Sequence, residues 1–280
     1  MNQGRHYVGA LVSYDGADYQ GFQYQPHGPS VQGVLEAALD QFVQRDSRVA
    51  CAGRTDTGVH ASGQVVSVWV TWLHGLDSLQ RAWNVHLPYD VAVRGVCEAP
   101  AGFHPRFSAV ERTYRYTVWN YSSPDVRTAL HRWPLTDRYA LFETRPINVA
   151  AMNEAATYLI GEHDFATFGK PTKGESTVRL VRTAEWQVVE DSLPALSRYP
   201  GRKLVFTIAA NAFLRTMVRR LVGTLLAVGR GEWKVADVER ALAACSSQES
   251  APPAPPQGLV LEKVTYPGVL GALFEEMERA

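Results

Sequence analysis

Apolar residues alternate with polar ones in several short segments of the chain, and in other segments they recur every three or four positions. Alternation is typical of a half-buried β-strand, and the longer spacing is typical of one face of an α-helix. Ser30 precedes one apolar-periodic stretch and is a good N-cap for a helix there. In the first part of the chain the pattern further predicts strands at residues 7–14, 49–52, 64–70 and 91–97, and a second helix at residues 78–86.

The second part of the chain repeats this order of elements. Its pattern predicts strands at residues 113–119, 183–189, 203–210 and 259–266, and helices at residues 149–160, 213–228 and 235–244. Both parts follow the order strand, helix, strand, strand, helix, strand, which is the split βαβ motif of ferredoxin-like folds. We predict an α+β protein with two ferredoxin-like (βαββαβ) halves, residues 1–105 and 106–280.

Two segments fit neither pattern. Residues 246–256 contain four prolines and three serines, and an apolar strand pattern resumes directly after them. A loop is expected there rather than a domain linker. Between residues 121 and 148, turn residues and isolated aromatics give no assignment.

Charge and cysteine content narrow the class of protein without naming a function. Lysine plus arginine number 28, as do aspartate plus glutamate, so the net charge gives no support to a nucleic-acid partner. Cys51, Cys97 and Cys245 form no CxxC pair, which argues against a disulfide framework or a thiolate zinc site and favours a reducing compartment. No apolar run approaches the roughly 20 residues that span a bilayer, and no signal-peptide pattern is present. We therefore expect a cytoplasmic protein with no membrane partner.

The densest polar cluster is the run GRTDTGVHA at residues 53–61, between two predicted strands. Gly53 and Gly58 allow sharp turns and close approach of a ligand, and the side chains between them supply charge and hydrogen bonds. The run also fits an ordinary loop in which Asp56 and Thr57 satisfy backbone donors. The residues alone leave both interpretations open.

This run resembles the GRTDxGVHA signature of the tRNA pseudouridine synthase A family. Five further blocks resemble that family's motifs in the same order: the YDG block with Tyr19, Gly21, Gln23, Gln25 and the Val31-Gln32 pair, residues 103–116 (FHPRFSA followed by R and YRY), GEHDFATF at 161–168, the helix at 213–231, and residues 254–266. The likeness covers nearly the whole chain. Phe22, Pro105 and the run Leu214-Arg215-Thr216 depart from the family's usual residues, which bears on loop shape and RNA contacts more than on chemistry.

The resemblance implies a role for particular residues. Asp56 matches the catalytic aspartate, and Arg54 matches the arginine that helps to displace the target base. Tyr114 matches the active-site tyrosine that packs against this base. Arg219 matches the arginine that pairs with the catalytic carboxylate. The resemblance also implies that the antiparallel sheets of the two halves join, with the active-site cleft between them.

The same resemblance implies the partner and the remaining contacts. The substrate would be uridines 38, 39 and 40 of the tRNA anticodon stem-loop, and a homodimer would hold the tRNA. Basic residues of the second part of the chain could form a cationic groove, although solvated surface charge explains Lys173 and Arg179 better. The groove candidates also include Lys170 and Arg230. The predicted RNA- or substrate-binding residues are Arg54, Thr55, His60, Arg106, Arg112, Arg115 and Arg220.

The residue types suit this reaction. Pseudouridine forms when the bond between uracil N1 and C1′ breaks, the base turns, and C5 joins C1′, so no ATP, redox cofactor or metal is required. The chain accordingly needs no P-loop or GxGxxG fingerprint and has neither. An ionised Asp56 can act as nucleophile at the sugar or as base toward the C2′ proton, and the sequence does not choose. A guanidinium beside it would keep it ionised, and Tyr114 could stack on an extruded uracil.

Several residues have competing interpretations. Arg219 also suits the polar edge of its helix, and Tyr114 suits an ordinary core position. His60, His104 and His163, with nearby Asp56 and Asp164, lack HxxxH or HxH spacing, which disfavours a metal site. Cys51 lies in a predicted buried strand, which disfavours it as a nucleophile.

Two other functions remain open at this point. One is an RNA-binding protein that keeps the scaffold without catalysis; the presence of Asp56, Tyr114 and Arg219 argues against it. The other is a carboxylate-pair glycosidase, which would need Asp15 or Asp164 within about 5 to 10 Å of Asp56.

Overall fold

Strands and helices form two units in the computed structural model, which describes residues 4–121, 134–171, 174, 176–189 and 201–279. The first unit comprises Met1–Arg112 and Leu261–Ala280, and the second comprises Thr113–Val260. The strands are β1 (Arg5–Tyr14), β2 (Gln44–Arg45), β3 (Ala50–Cys51), β4 (His60–Thr71), β5 (Val91–Glu98), β6 (Glu111–Asn120), β7 (Leu141–Glu143), β8 (Gly161–Asp164), β9 (Val178–Val189), β10 (Arg202–Ala210) and β11 (Leu259–Thr265). The helices are α1 (Val31–Leu39), α2 (Leu76–His86), α3 (Pro134–Asp137), α4 (Val149–Thr157), α5 (Met217–Gly229), α6 (Val235–Ala244) and α7 (Gly268–Arg279).

The sheet of the first unit has the strand order β5–β1–β4–β11, and β2 and β3 pair with β4. β1 is antiparallel to both neighbours, with Ala10 opposite Val66 on one side and Val96 on the other. The Ser30 side chain accepts a hydrogen bond from the Gly33 N–H and caps α1, as its position in the sequence predicts. The α+β fold class and the antiparallel pairing predicted from the sequence are confirmed.

β1 is buried on both faces, whereas its alternating pattern predicts a strand buried on one face only. The reason is α7, which the sequence analysis did not assign. A Cβ on Gly9 would lie 3.0 Å from the Phe274 ring, and one on Gly95 would lie 2.6 Å from the Met277 side chain. These glycines let α7 pack directly on β1 and β5, which closes the second face.

Residues 261–280 therefore pack with the first unit, although the sequence analysis placed them in the second half. Tyr266 connects β11 to the core of this unit, with its ring 5.3 Å from Phe103 and 5.4 Å from Phe274. The other boundary falls after Arg112 rather than at residue 105. The units of the structure are thus not the simple halves 1–105 and 106–280, because the last strand and helix return to the first unit.

The sheet of the second unit has the strand order β6–β10–β9–β8, and β7 pairs in parallel with β6. β10 and β9 are antiparallel, and the Phe206 ring packs against the Trp186 ring across this pair, with 5.0 Å between their centroids. Helices α4, α5 and α6 pack on one another, and α4 also packs on β9. Met152 and Phe206 are fully buried in this unit.

The helix predicted at residues 213–228 begins four residues later than predicted. Thr216 has a φ of 65°, in the left-handed region, so the helix cannot extend through it toward the N-terminus. Arg215 instead pairs with Lys170: its N–H donates to the Lys170 carbonyl at 3.1 Å. This long-range pairing competes with the helical hydrogen bonds and prevails. Over the residues that the structure covers, no helix is long and apolar enough to cross a bilayer.

A buried carboxylate orders one end of the second unit. Glu143 is 5% exposed, and its two oxygens accept hydrogen bonds from Arg145, at 3.1 and 3.3 Å, and from Arg230 Nε, at 2.8 Å. Burial by itself would raise the pKa of Glu143, but the hydrogen bonds from Arg145 and the charge of Arg230 hold that pKa below its usual value. Arg230, a candidate for an RNA groove, therefore has its charge committed to this carboxylate. Lys173, another candidate, lies outside the described residues.

The ion pairs of Glu143 yield a prediction about stability. Glu143→Gln should lower the free energy of unfolding at pH 7 by about 2 kcal/mol, because two guanidinium groups lose their counter-charge. The loss is no larger because Arg145 is partly solvated. Because the folded-state pKa is lowered, this stabilisation exists above the ordinary pKa of 4.5 and is lost as the pH falls through the folded-state value. Urea unfolding at pH 7 and about pH 3 measures it. Exposed Glu239→Gln is the control, and an equal difference at both pH values would contradict the prediction.

Candidate active site

Asp56 lies on the loop of residues 52–59, called here the Asp56 loop, which joins β3 to β4 in the first unit. Thr55 is buried, Arg54 is exposed, and Asp56 is partly exposed. The Val59 N–H donates to the Asp56 carbonyl at 3.1 Å, which closes a turn, and Gly58 in this turn has a φ of 75°. The loop thus holds one carboxylate and one guanidinium at the surface of a tight turn.

A buried glutamine fixes the start of this loop. Gln64, on β4, is fully buried, and its amide nitrogen donates to the Gly53 carbonyl at 2.6 Å while its amide oxygen accepts from the Gly53 N–H at 3.3 Å. The same nitrogen lies 3.4 Å from the Tyr14 hydroxyl, which is hydrogen-bonded to Thr55 Oγ1 at 2.8 Å. Backbone and side-chain contacts therefore hold the loop on both sides of Arg54. The sequence analysis did not assign this role to Gln64, although a glutamine within an apolar strand is a signal for such a contact.

Two glycines let the N-terminal segment press against the backbone of the Asp56 loop. A Cβ on Gly21, whose φ is 88°, would lie 2.6 Å from the Thr55 carbonyl oxygen. A Cβ on Gly16 would clash with the Val59 carbonyl oxygen. The Phe22 N–H also donates to the Thr55 carbonyl at 3.2 Å. The segment after β1 is therefore a second wall that fixes the loop.

His60 supports the loop from beneath. Its side chain is 3% exposed, and its Nδ1 accepts a hydrogen bond from the Gly16 N–H at 3.0 Å. A carboxylate oxygen of Asp15 lies 3.0 Å from the same nitrogen, and it also accepts from the Ala17 N–H. The predicted contact of His60 with RNA stays a prediction, and this geometry favours an indirect role in which His60 orders residues 15–17 against the loop.

Arg112 joins the Asp56 loop to the segment before β6. It is 7% exposed, and its guanidinium donates to the carbonyls of Ala52 at 3.0 Å, Ala109 at 3.2 Å, and Arg106. Since the guanidinium binds three backbone carbonyls, it connects the start of the Asp56 loop to residues 106–109. Arg112 was predicted to bind RNA; its burial favours a role in positioning these two segments.

Three arginines surround the thiol of Cys51. Burial raises the pKa of this thiol to about 12, even though the charges of Arg54, Arg106 and Arg112 act to lower it. The thiol therefore stays protonated at neutral pH and is a poor nucleophile. These arginines bring positive charge close to the start of the Asp56 loop, although the whole chain carries no net charge.

In the second unit, Tyr114 and Arg219 lie close to the start of α5. Tyr114 is 7% exposed on β6 and packs edge-on against Phe213, which precedes α5, at 5.2 Å. Tyr116 follows on the same face of β6, and burial raises its pKa while the charge of Arg219 lowers it. Arg115 points to the opposite, exposed face of the strand.

The proline-rich segment of residues 246–256 is fastened to α5. Arg219 Nε donates to the Ala254 carbonyl at 2.7 Å, and the Ala254 N–H donates to the Arg219 carbonyl at 2.8 Å. Gly223 permits this approach, because a Cβ there would clash with the Pro252 carbonyl oxygen. Apart from two short 3₁₀ turns, Ser247–Glu249 and Pro256–Gly258, the segment is the loop that was predicted.

Arg220 is less free than the sequence suggested. It was predicted to bind RNA or substrate; it is half-buried, and its Nη1 donates to Ser250 Oγ at 2.7 Å. It helps to hold the same proline-rich segment. Asp56 lies in the first unit while Tyr114 and Arg219 lie in the second, so the proposed contacts of Asp56 with them stay predictions.

The histidines considered as metal ligands have other contacts. His104 Nδ1 accepts from the Arg106 N–H at 3.1 Å, and His163 Nε2 lies 2.9 Å from the Ile160 carbonyl. Asp164 accepts from the Ala166 N–H at 2.9 Å. Within the ranges that the structure describes, no group of three or more His, Cys, Asp or Glu side chains is arranged to hold a metal ion.

Comparison with known proteins identifies relatives that match this chain over most of its length. A family model described as tRNA pseudouridine synthase matches residues 10–108 and 155–267. A tRNA pseudouridine synthase A from Chloroflexus aurantiacus is 41% identical over 97% of this chain and 93% of its own length. One from Roseiflexus sp. (strain RS-1) is 42% identical over 93% of this chain and 90% of its own. A chain from the crystal structure of a Cbf5-Nop10-Gar1 complex is 13% identical, with a TM-score of 0.29; this chain spans only 45% of it, and so weak a likeness carries no argument.

Similarity of this extent and identity defines the class of protein as a pseudouridine synthase. The chain belongs to the tRNA pseudouridine synthase family. It is therefore an enzyme, an isomerase that acts on tRNA, and the resemblance seen in its sequence motifs is confirmed.

The contact between Gly21 and the Asp56 loop generates a prediction about activity. Gly21→Ala would place a Cβ against the Thr55 backbone, and neither side of this contact is a flexible side chain. We expect the loop to shift and the rate of pseudouridine formation in tRNA to fall by about 10²-fold, as small displacements of reacting groups cause. Gly231→Ala is the matched control, since Gly231 has a φ of 74° with nothing within 4 Å of the new Cβ. It should lose about 1 kcal/mol of stability and keep its activity. Equal activity of the two variants would contradict the prediction.

Proposed function

We propose that this protein converts uridines 38, 39 and 40 of the tRNA anticodon stem-loop to pseudouridine, with Asp56 as the group that attacks the nucleotide. The observation that carries the proposal is the placement of Asp56, partly exposed on a loop whose backbone is fixed by Gln64, Gly16 and Gly21. A carboxylate held in one position needs little reorganisation when it reacts. Family membership supports the reaction, and the anticodon-arm positions follow from the resemblance to the A-type members.

Two routes fit a single carboxylate. In the first, an Asp56 oxygen bonds to C1′, the N1–C1′ bond breaks, and uracil leaves as an anion; C5 then attacks C1′ and the carboxylate departs. In the second, Asp56 removes the C2′ proton as the N1–C1′ bond breaks, and the proton returns to C2′ when C5 bonds to C1′. On either route the C5 proton is then lost and N1 takes up a proton, so the base ends neutral. Both return the carboxylate unchanged, and neither needs a cofactor. Deuterium at C2′ should give a primary isotope effect only on the second route.

The other proposed active-site groups assist in different ways. Extruding the target base from its stack costs roughly a few kcal/mol. Arg54 is exposed close to Asp56 in the sequence, and its long side chain can occupy the space that the base leaves. Tyr114 offers its ring to the uracil. Arg219 would pair with Asp56 and stabilise its ionised form.

The residues predicted to bind RNA divide into three sets by their exposure. Arg54 and Arg115 are exposed, and their side chains suit phosphate or base contacts. Arg106 and Arg220 are half-buried, and Arg220 also binds Ser250. The buried ones, Thr55, His60 and Arg112, act through the backbone of the segments that they hold.

We also propose a homodimer that holds one tRNA with both subunits, which the mass of the protein in solution would reveal. A cytoplasmic location belongs to the same proposal, and it is supported by cysteines 51, 97 and 245, all of which are free thiols.

Removal of the Asp56 charge tests the central assignment. Asp56→Asn keeps the size of the side chain but abolishes both nucleophile and base, so pseudouridine formation should fall by at least about 10³-fold while tRNA binding persists. The assay is mapping of pseudouridine in unmodified tRNA transcript, with no cofactor or metal added. Asp77→Asn, an exposed carboxylate at the start of α2, is the matched control and should keep full activity. Full activity of Asp56→Asn, or a strict need for a cofactor, would overturn the proposal.

The proposed pairing of Arg219 with Asp56 has a separate test. Arg219→Gln should lower kcat by about 10²-fold with a smaller change in KM, because the guanidinium acts on the reacting carboxylate rather than on bound RNA. Arg219→Lys should recover part of kcat, since it restores the charge without the Nε–H that binds Ala254. Arg240→Gln, on the exposed face of α6, is the control. A wild-type kcat for Arg219→Gln would exclude the pairing.

A further inference from the structure

We propose that His104, Arg106 and Phe107, called here the Phe107 platform, form a stacking surface for a nucleobase of the RNA substrate other than the target uridine. This inference rests on the proposed function, because it takes tRNA as the ligand. It assigns a binding role to Phe107, which belongs to the FHPRFSA motif but to which the resemblance gives no role.

Phe107 is an aromatic side chain set between two polar groups at the surface of the first unit. Its ring is 73% exposed. The guanidinium of Arg106 lies 5.3 Å from the centroid of the ring, and the His104 ring lies 4.5 Å from it. Single exposed apolar residues are common on protein surfaces, so exposure by itself indicates nothing. Arg106 lies over the Phe107 ring, and an aromatic ring together with a guanidinium is a combination on which unpaired bases stack.

The loop that carries the platform is rigid. The His104 N–H donates to Ser108 Oγ at 3.1 Å, and the Ser108 N–H donates back to the His104 carbonyl at 2.9 Å. His104 Nδ1 accepts from the Arg106 N–H at 3.1 Å, which fixes the imidazole. Burial and the charge of Arg106 lower the pKa of His104, which favours the neutral ring at pH 7. These hydrogen bonds hold the His104 ring in one arrangement beside Phe107, with the two ring planes 38° apart.

The carbonyls of this loop are anchored to the interior of the unit. The Tyr7 hydroxyl donates to the Phe103 carbonyl at 2.8 Å, and the Tyr266 hydroxyl donates to the Pro105 carbonyl at 2.7 Å. The Arg106 carbonyl accepts from Arg112. A surface loop held by three side chains loses little conformational entropy when a ligand binds, which favours a binding role for the side chain that it exposes.

The platform shares an anchor with the Asp56 loop. Arg112 donates to Ala52 at the start of that loop and to Arg106 within the platform. Arg54 and Arg106 are both close enough to Cys51 for their charges to act on its thiol. An RNA strand whose uridine reaches Asp56 thus meets cations for its phosphates and an aromatic face for a neighbouring base in the same unit. This charge favours RNA over an apolar protein partner.

The proposed stacking predicts how substitutions at residues 106 and 107 change the affinity for tRNA. Phe107→Ala should weaken binding of unmodified tRNA transcript about tenfold, the size of one lost base stack, while the dependence of Kd on salt stays unchanged, because stacking releases no counterions. Phe107→Tyr should bind as wild type does, whereas Phe107→Leu should be as weak as the alanine variant, since it lacks a π face. Arg106→Gln should reduce the salt dependence. Tyr89→Ala, which removes a fully exposed aromatic from another loop, is the control and should bind normally.

Abasic substitution identifies the stacked base. A series of anticodon stem-loops, each with one abasic nucleotide, should contain a position whose loss weakens binding to the wild type but weakens binding to Phe107→Ala no further. If every abasic position affects the two proteins equally, or if Phe107→Leu binds as well as the wild type, the platform does not stack on RNA. Such a result with an active wild-type enzyme overturns only this inference. An inactive wild type would instead overturn the proposed function.

Discussion

The hydrogen bonds between the Gln64 amide and the Gly53 backbone are the interaction on which the Asp56 loop depends. Both ends of this amide are buried, and leaving either unsatisfied would cost roughly 1–3 kcal/mol. Any displacement of Gly53 therefore breaks a buried pair, so the loop has one low-energy arrangement. Tyr14 extends the same network to Thr55, one residue before the carboxylate.

The second unit uses the same physical device. Arg219 makes reciprocal hydrogen bonds with the backbone of Ala254, on a segment that Gly223 allows to approach α5. In each unit, hydrogen bonds to the main chain fix the backbone next to a proposed active-site side chain. Such support from neighbouring groups holds a site residue in one position.

The sequence predicted the elements that depend on local pattern and failed where distant contacts decide. The strand around Gly9 was predicted correctly, but its second buried face was not, because Phe274 lies far along the chain. The start predicted for α5 was too early, because Thr216 has a left-handed backbone conformation and Arg215 pairs with the distant Lys170 instead of joining the helix. Motifs indicated Asp56 as a site residue, yet composition cannot distinguish an arginine that binds phosphate from one such as Arg112 that binds carbonyls.

The return of β11 and α7 to the first unit has a consequence for how the protein is made. Phe274 and Tyr266 complete a core built on β1 and β5, so the unit that carries Asp56 cannot be finished when its first 112 residues emerge from the ribosome. Domains usually fold in order of synthesis. Here β1 can pair with β4 and β5 once residues 5–98 have been made, but the second face of β1 is covered only after α7 has been made. The face of β1 and β5 that α7 covers therefore has to stay shielded from other chains until α7 has been translated.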